Sequence, residues 1–281
     1  MMFKTLNHSF NKFPLIMGIV NITPDSFFSG SRKETQKEIL EQVEKHLKEG
    51  ADIIDIGAES TRPGARPVSL EDEKKRILPN IISIKKYFPE TIVSVDTYKS
   101  EIAKEAIING ADIINDISGF DFDSKIVNIL QQYKPGYILM HIKGTPQNMQ
   151  KNPYYDNVIQ EITEYFQNKT KLLIKKGLPK NNIVIDPGIG FGKNDFHNLA
   201  IISNIDKFKN LGFPILIGLS RKSFIGRILD LQNPDDRLNG TSIMHSISLY
   251  KGANILRVHD VKFAKEAVKL ITELKKVENA I

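Results

Sequence analysis

The chain has 281 residues, is 41% hydrophobic and 26% charged, and carries 39 basic against 33 acidic side chains, a net charge of +6. The absence of cysteine excludes disulfides, thiolate metal sites and a cysteine nucleophile, and no apolar run approaches the roughly 20 residues that span a bilayer. The basic side chains are spread over helical stretches with acidic ones interleaved, as in Glu44-Lys45 and Lys74-Lys75-Arg76, with no Lys/Arg stripe carrying aromatics. That spread argues against nucleic acid, and a small anionic substrate accounts equally well for the excess. The first residues, M-M-F-K-T-L-N-H-S-F, have no long apolar core or small-residue cleavage site, so a secretion signal is not expected and cytoplasm is the default.

In chain order, short β-type runs recur, most with a polar residue at the carboxyl end. Leu15–Val20 ends at Asn21, Ala51–Ile56 at Gly57, Thr91–Val95 at Asp96, and Ala111–Ile114 at Asn115 and Asp116. Gly136–Met140 ends at His141, Ile183–Ile185 at Asp186, Phe213–Leu219 at Ser220, and Ala253–Leu256 at Arg257 and His259. Between them, spacing predicts amphipathic helices over 38–48, 70–88, 99–109, 123–133, 157–177, 195–210 and 260–277. Three helix-to-strand junctions share a signature, E-G-A-D-I-I, N-G-A-D-I-I and K-G-A-N-I-L, in which Gly ends the helix in a left-handed cap. Strand and helix alternating along the chain predict an α/β fold, a (β/α)8 TIM barrel formed as a single domain over 1–281; a doubly wound open sheet is the runner-up.

The most informative stretch is Ile183–Lys193, I-V-I-D-P-G-I-G-F-G-K. Its β-branched run suits a strand buried on both faces, and Asp186 places a carboxylate where that strand opens into a glycine loop. The loop is not a nucleotide cradle. A Walker A loop needs Gly at 187 and Ser or Thr at 194, which are Pro187 and Asn194; a dinucleotide fingerprint needs Gly at 193, which is Lys193. In a barrel all strand carboxyl ends meet at one mouth, so Asn21, Asp96, Asn115, His141, Asp186, Ser220, Arg257 and His259 converge. Asp96, Asn115 and Asp186 can pair with a polar heterocycle. Arg62, Arg221, Lys222, Arg257 and His259 can hold anionic groups, and Ser223 begins a helix whose positive end suits a carboxylate.

The segments G-I-V-N-I-T-P-D-S-F, E-S-T-R-P-G-A, S-V-D-T-Y-K, N-D-I-S-G, M-H-I-K-G-T-P-x-x-M-Q, D-P-G-I-G-F-G-K, S-R-K-S-F and R-V-H-D resemble, in order, the motif set of the dihydropteroate synthase family of pterin-binding enzymes. The resemblance runs from about residue 15 to 275. It implies a transferase of folate biosynthesis that joins 6-hydroxymethyl-7,8-dihydropterin diphosphate to 4-aminobenzoate and releases pyrophosphate, with Mg2+. Carried over position by position, it implies that Asp96, Asn115, Met140, Asp186, Phe191 and Lys222 bind the pterin. Asn21, Thr61, Arg257 and His259 hold the diphosphate, with Asn21 at the metal. Phe27, Arg62, Pro63 and Ser223 form the 4-aminobenzoate site, and Lys222, Arg257, His259 and Asp25 serve the chemistry. It further implies a homodimer and a sulfonamide target, beside the cytoplasmic location and the absence of nucleic-acid and membrane partners expected from the composition. The first loop departs from the family pattern, with Ser29 where the family has Asp. The rival readings are a methyltetrahydrofolate-type methyltransferase, which shares the barrel and the pterin site, and a catalytically silent pterin-binding module.

Overall fold

The computed structural model describes residues 1–22, 32–60, 64–65, 67–278 and 280. A short hairpin, β1 (Phe3–Lys4) and β2 (Ser9–Phe10), precedes β3 (Leu15–Asn21), α1 (Arg32–Glu49), β4 (Ile53–Gly57) and α2 (Leu70–Tyr87). Then come β5 (Val93–Asp96), α3 (Ser100–Ile108), β6 (Ile113–Asp116), α4 (Ile126–Tyr133), β7 (Gly136–Met140), α5 (Val158–Lys175) and β8 (Ile183–Asp186). The last part contains α6 (Asp195–Ser203), α7 (Ile205–Phe208), β9 (Leu216–Ile217), α8 (Ser223–Ile228), α9 (Leu238–Lys251), β10 (Ile255–Val258) and α10 (Val261–Glu278).

The strands β3 to β10 form one parallel sheet in the order β8-β7-β6-β5-β4-β3-β10-β9. A parallel bridge between Ile185 and Ile215 brings β9 back to β8, so the sheet closes on itself and the open-sheet alternative is excluded. Among the described residues no helix is long and apolar enough to cross a membrane.

Side chains alternate along each strand, so one set packs against the surrounding helices and the other fills the barrel. The outer set, with Ile16, Ile54, Val95, Ile114, Leu139, Ile185 and Leu256, joins the buried faces of the helices in the larger core. The inner set splits by height. Its lower part is wholly apolar: Leu15, Met17, Ile53, Ile92, Ile113, Ile138, Val184, Leu216 and Ile255 pack together around Phe3. Phe3 is carried there by the hairpin and stacks on Phe10 with ring centroids 5.8 Å apart. Gly136 makes room for it, since a Cβ there would lie 2.9 Å from the Phe3 ring and 3.0 Å from Ile113.

The repeated helix-to-strand junctions are left-handed caps: Gly50, Gly110 and Gly252 have φ of 99°, 107° and 113°. The Asp or Asn of each signature has a second use, satisfying the first backbone N–H groups of a neighbouring strand segment. Asp52 accepts from Ile16 N at 2.7 Å, Asp112 from Val93 N at 3.1 Å and Asn254 from Ile215 N at 3.0 Å. These carboxylates and the amide knit the bottom rim of the barrel, where strand starts would otherwise leave unpaired donors.

Three expectations change. The helix expected over 195–210 is broken: α6 ends at Ser203, and α7 follows from Ile205. The seventh strand is only Leu216–Ile217, because Pro214 offers no backbone donor and Gly218 weakens the run. The helix α9 has no counterpart among the expected elements, since its buried positions are Gly240, Thr241, His245, Ser248 and Leu249 rather than an apolar stripe.

Candidate active site

One step further along the same inward-facing rows, the barrel interior changes from apolar to charged. Ile53 gives way to Asp55, Ile92 to Ser94 and then Asp96, Ile113 to Asn115, Val184 to Asp186, and Ile255 to Arg257. Parallel register keeps these residues close to one level, with Asp96 paired to Asn115 and Met140 to Asp186.

Arg257 is the electrostatic centre. Its Nε donates to Asp55 Oδ2 at 2.6 Å, and its Nη2 donates to Asp96 Oδ2 at 2.7 Å. Burial opposes its charge, but the two carboxylates outweigh that and raise its pKa. Asn115 Nδ2 donates to the same Asp55 oxygen at 3.2 Å. Burial pushes the Asp96 carboxyl up to about 7, with Arg257 opposing the shift and Asp55 adding to it.

Asp186 closes the other side. Its Oδ1 accepts from Gly188 N at 2.8 Å, and burial raises its pKa while Lys222 and Arg257 pull it back. The Lys222 ammonium donates to the Ile189 carbonyl and lies 4.5 Å from the centroid of the Phe191 ring. Burial lowers its pKa to about 7 against the pull of Asp186. A carboxylate and an amine that both titrate near neutrality, in one cleft, are characteristic of functional sites. Two apolar side chains flank these groups: Met140, buried and paired in register with Asp186, and Phe191, half-buried beside the Lys222 ammonium.

Two glycines of the loop make room for the neighbouring backbone after β7. Gly188 and Gly192 have φ of 68° and 66°, and a Cβ on them would lie 2.0 Å from the His141 carbonyl oxygen and 2.2 Å from that of Lys143. Lys193 locks the two loops together from below. Its fully buried Nζ is 3.0 Å from His141 Nδ1 and donates to the Phe191 carbonyl at 2.9 Å. Burial lowers the pKa of Lys193 and of His141 well below their ordinary values.

Strand ends at the late loops place the remaining cations differently. Exposed His259 has its Nδ1 3.2 Å from Ser220 Oγ, and its backbone N–H donates to the same oxygen at 3.3 Å. Arg221 does not join the cationic group at the mouth. It forms a two-pronged pair with Asp260, at 2.8 Å on each side, and also contacts Asp235. Ser223 opens α8 and is exposed, as is Asn21 at the end of β3. Asp25, Phe27, Ser29, Thr61, Arg62 and Pro63 lie outside the described residues.

Asp55 was not among the residues singled out from sequence. It stands two positions before the end of β4, inside the run A-D-I-I-D-I, and the strand-end rule passes over it. The alternation of β4 is the signal that finds it: Asp55 is two residues after inward-facing Ile53.

Comparisons agree with this geometry. The family model described as pterin binding enzyme matches residues 17–259, and the chain belongs to this family. A Haemophilus influenzae protein named dihydropteroate synthase is 41% identical over 257 residues, 92% of each chain. A structure of Yersinia pestis dihydropteroate synthase in a sulfonamide drug complex superimposes with a TM-score of 0.92 at 35% identity, covering 98% of this chain and 100% of that one. A Xanthomonas albilineans dihydropteroate synthase in complex with 7,8-dihydropteroate gives a TM-score of 0.88 at 30% identity, over 98% and 99% of the two chains.

Proposed function

We propose that the chain is a dihydropteroate synthase, a transferase of the folate pathway acting as a single barrel domain. It joins 6-hydroxymethyl-7,8-dihydropterin diphosphate to 4-aminobenzoate. The observation that carries this reading is the polar layer at the barrel mouth, where Asp96, Asn115 and Asp186 face one cleft with Lys222 and Arg257, between Met140 and Phe191. A pterin edge is a row of N–H, amino and carbonyl groups. Fixed carboxylates, an amide and an ammonium match such a row, and leaving them unpaired is costly. The methyltransferase reading is not favoured, since the relatives reported above carry the synthase name.

In this reading Arg257 and His259, with Asn21 and Thr61, take the diphosphate. Phe27, Arg62, Pro63 and Ser223 take 4-aminobenzoate, and Asp25 joins Lys222, Arg257 and His259 in the chemistry. The carbon–oxygen bond to the diphosphate breaks, the electron pair leaves with pyrophosphate, and the arylamine attacks the exocyclic carbon and then loses a proton. The cations lower the barrier by holding charge where it develops on the leaving group, and carboxylates Asp96 and Asp186 face the positive pterin. Among the described residues no three His, Asp or Glu side chains are grouped to hold a metal. Asn21, exposed at the end of β3, would hold Mg2+, an ion that keeps most of its waters and needs few protein oxygens. When bound, Mg2+ would neutralise charge on the leaving diphosphate.

We also propose a cytoplasmic homodimer. The helices α6, α9 and α10 expose Phe196, Leu199, Ile243, Ile247, Tyr250, Leu270 and Leu274, with a groove of about 640 Å³ between α6 and α9. The apolar outward face of α9, whose buried positions are mostly small or polar, suits a second copy of the chain covering it. Light scattering should give twice the chain mass of 31.8 kDa, and Ile247→Glu should halve it. A monomer at micromolar concentration would remove the dimer.

The activity is tested by pyrophosphate release. It should require both the pterin diphosphate and 4-aminobenzoate, and a sulfonamide should inhibit it in competition with 4-aminobenzoate. Pterin binding with no release would leave a silent binding module.

A further inference from the structure

Asp55 is fully buried, two residues along β4 from the apolar plug, and three observations converge on it. Its Oδ2 receives both the Arg257 Nε proton and the Asn115 amide, at 2.6 and 3.2 Å. Its Oδ1 is buried without a hydrogen-bond partner. Arg257 is shared with a second carboxylate, Asp96, which sits nearer the mouth.

These contacts have different fates when a flat heterocycle enters the cleft. Asp96 holds Arg257 through Oδ2 alone, and sharing its charge with ligand donors on the other oxygen weakens that hold. Asp55 lies below the ligand level and keeps its hold. A carboxylate only accepts, so Asn115 must turn its NH2 group down to Asp55 and present its carbonyl oxygen elsewhere. One buried charge thereby sets the orientation of two groups at the mouth.

We propose that Asp55 is a positioning residue for pterin binding: it anchors Arg257 while Asp96 passes to the pterin, and it fixes the direction of the Asn115 amide. This rests on the pterin-site reading above. With Asp55 neutralised, Arg257 leans on Asp96 and competes with the pterin for it. In the absence of Arg257, the Asp55 carboxylate becomes a buried charge without its counter-charge.

The test is a four-variant cycle of the full chain: wild type, Asp55→Asn, Arg257→Ala and the double variant. Calorimetry is run with the pterin diphosphate alone, and melting temperatures are measured without ligand. Asp55→Asn should weaken pterin binding at least about tenfold in the wild-type background and by clearly less in the Arg257→Ala background, where only the Asn115 contact is left to lose. Its effect on melting should change sign, lowering the temperature with Arg257 present and raising it with Arg257 absent. A purely structural Asp55 would give equal effects in both backgrounds, and that result overturns the inference. If Asp55→Asn fails to fold alone, a folded double variant that melts above Arg257→Ala still supports the charge pairing, and one that melts below it overturns it. Wild type that binds no pterin overturns the site reading itself; wild type that binds it as tightly as Asp55→Asn overturns only this inference.

Discussion

The lower and upper halves of the barrel interior are built from the same strands, one pleat apart, and do opposite work. Below, Met17, Ile53, Ile113, Ile138, Val184 and Ile255 close around Phe3. Above, Asp55, Asp96, Asn115 and Arg257 hold one another beside Asp186 and Lys222, in a layer with an unpaired buried oxygen and two groups, Asp96 and Lys222, whose pKa values burial shifts to about 7. The lower layer gains free energy from every methylene it removes from water. The upper layer spends some of that gain, because buried ion pairs seldom repay their desolvation. A fold that wanted only stability would continue the plug upward. The contrast separates residues that hold the barrel together from residues that wait for a ligand.

The largest effect expected is at Arg257. Arg257→Ala strips Asp55 of its counter-charge, so we expect a loss of about 3–5 kcal/mol of stability and a fall in turnover. Urea unfolding and pyrophosphate release would measure both, and an unchanged unfolding midpoint would mean that Asp55 and Arg257 are not a buried pair. In the lower layer, Gly136→Ala pushes a Cβ against Phe3 and Ile113. We expect about 1–3 kcal/mol of overpacking strain with pterin affinity intact; a loss of pterin affinity would show that the halves are not separable.

The smallest effect is a pH dependence confined to the upper layer. Asp96 accepts hydrogen bonds best as a carboxylate, above about 7, and Lys222 donates as an ammonium, below about 7. Pterin binding should therefore peak near neutrality and weaken on both sides. Lys222→Arg keeps its charge at all these pH values, so it should remove the alkaline fall and leave the acid one. Binding that is flat from pH 6 to 8 would contradict the assignment of either group.

The same division explains what was legible in the sequence. Strands were readable because β-branched runs buried on both faces look the same in any barrel. The polar residues after them, from Asp96 to Arg257, stood out as breaks in those runs. Asp55 stood inside its run and was missed. The hairpin Phe3–Phe10 was missed because two-residue strands carry no periodicity. Helix α9 was missed because Leu249 is the one large apolar side chain among its buried positions, the rest being Gly240, Thr241, His245 and Ser248, while Ile243, Ile247 and Tyr250 are exposed. Arg221 was assigned to the mouth on charge alone, and only the fold reveals Asp260 and Asp235 beside it. Sequence registers a charge but not the partner that uses it up.

The division itself is tested most directly on one strand, at two positions one pleat apart. Val184 sits in the plug, and Asp186 sits at the mouth with an oxygen on Gly188 N. Val184→Ala should lose about 2 kcal/mol of stability, from two methyl groups and the space they leave. It should bind the pterin as tightly as the wild type. Asp186→Asn retains an acceptor for Gly188, so it should unfold within about 1 kcal/mol of the wild type while weakening pterin binding by roughly 2 kcal/mol, near thirtyfold. Stability and affinity measured side by side on the two variants would show this crossed pattern. Parallel losses in both quantities at both positions would mean that the barrel interior is one structural core and that its charged layer is not a binding site.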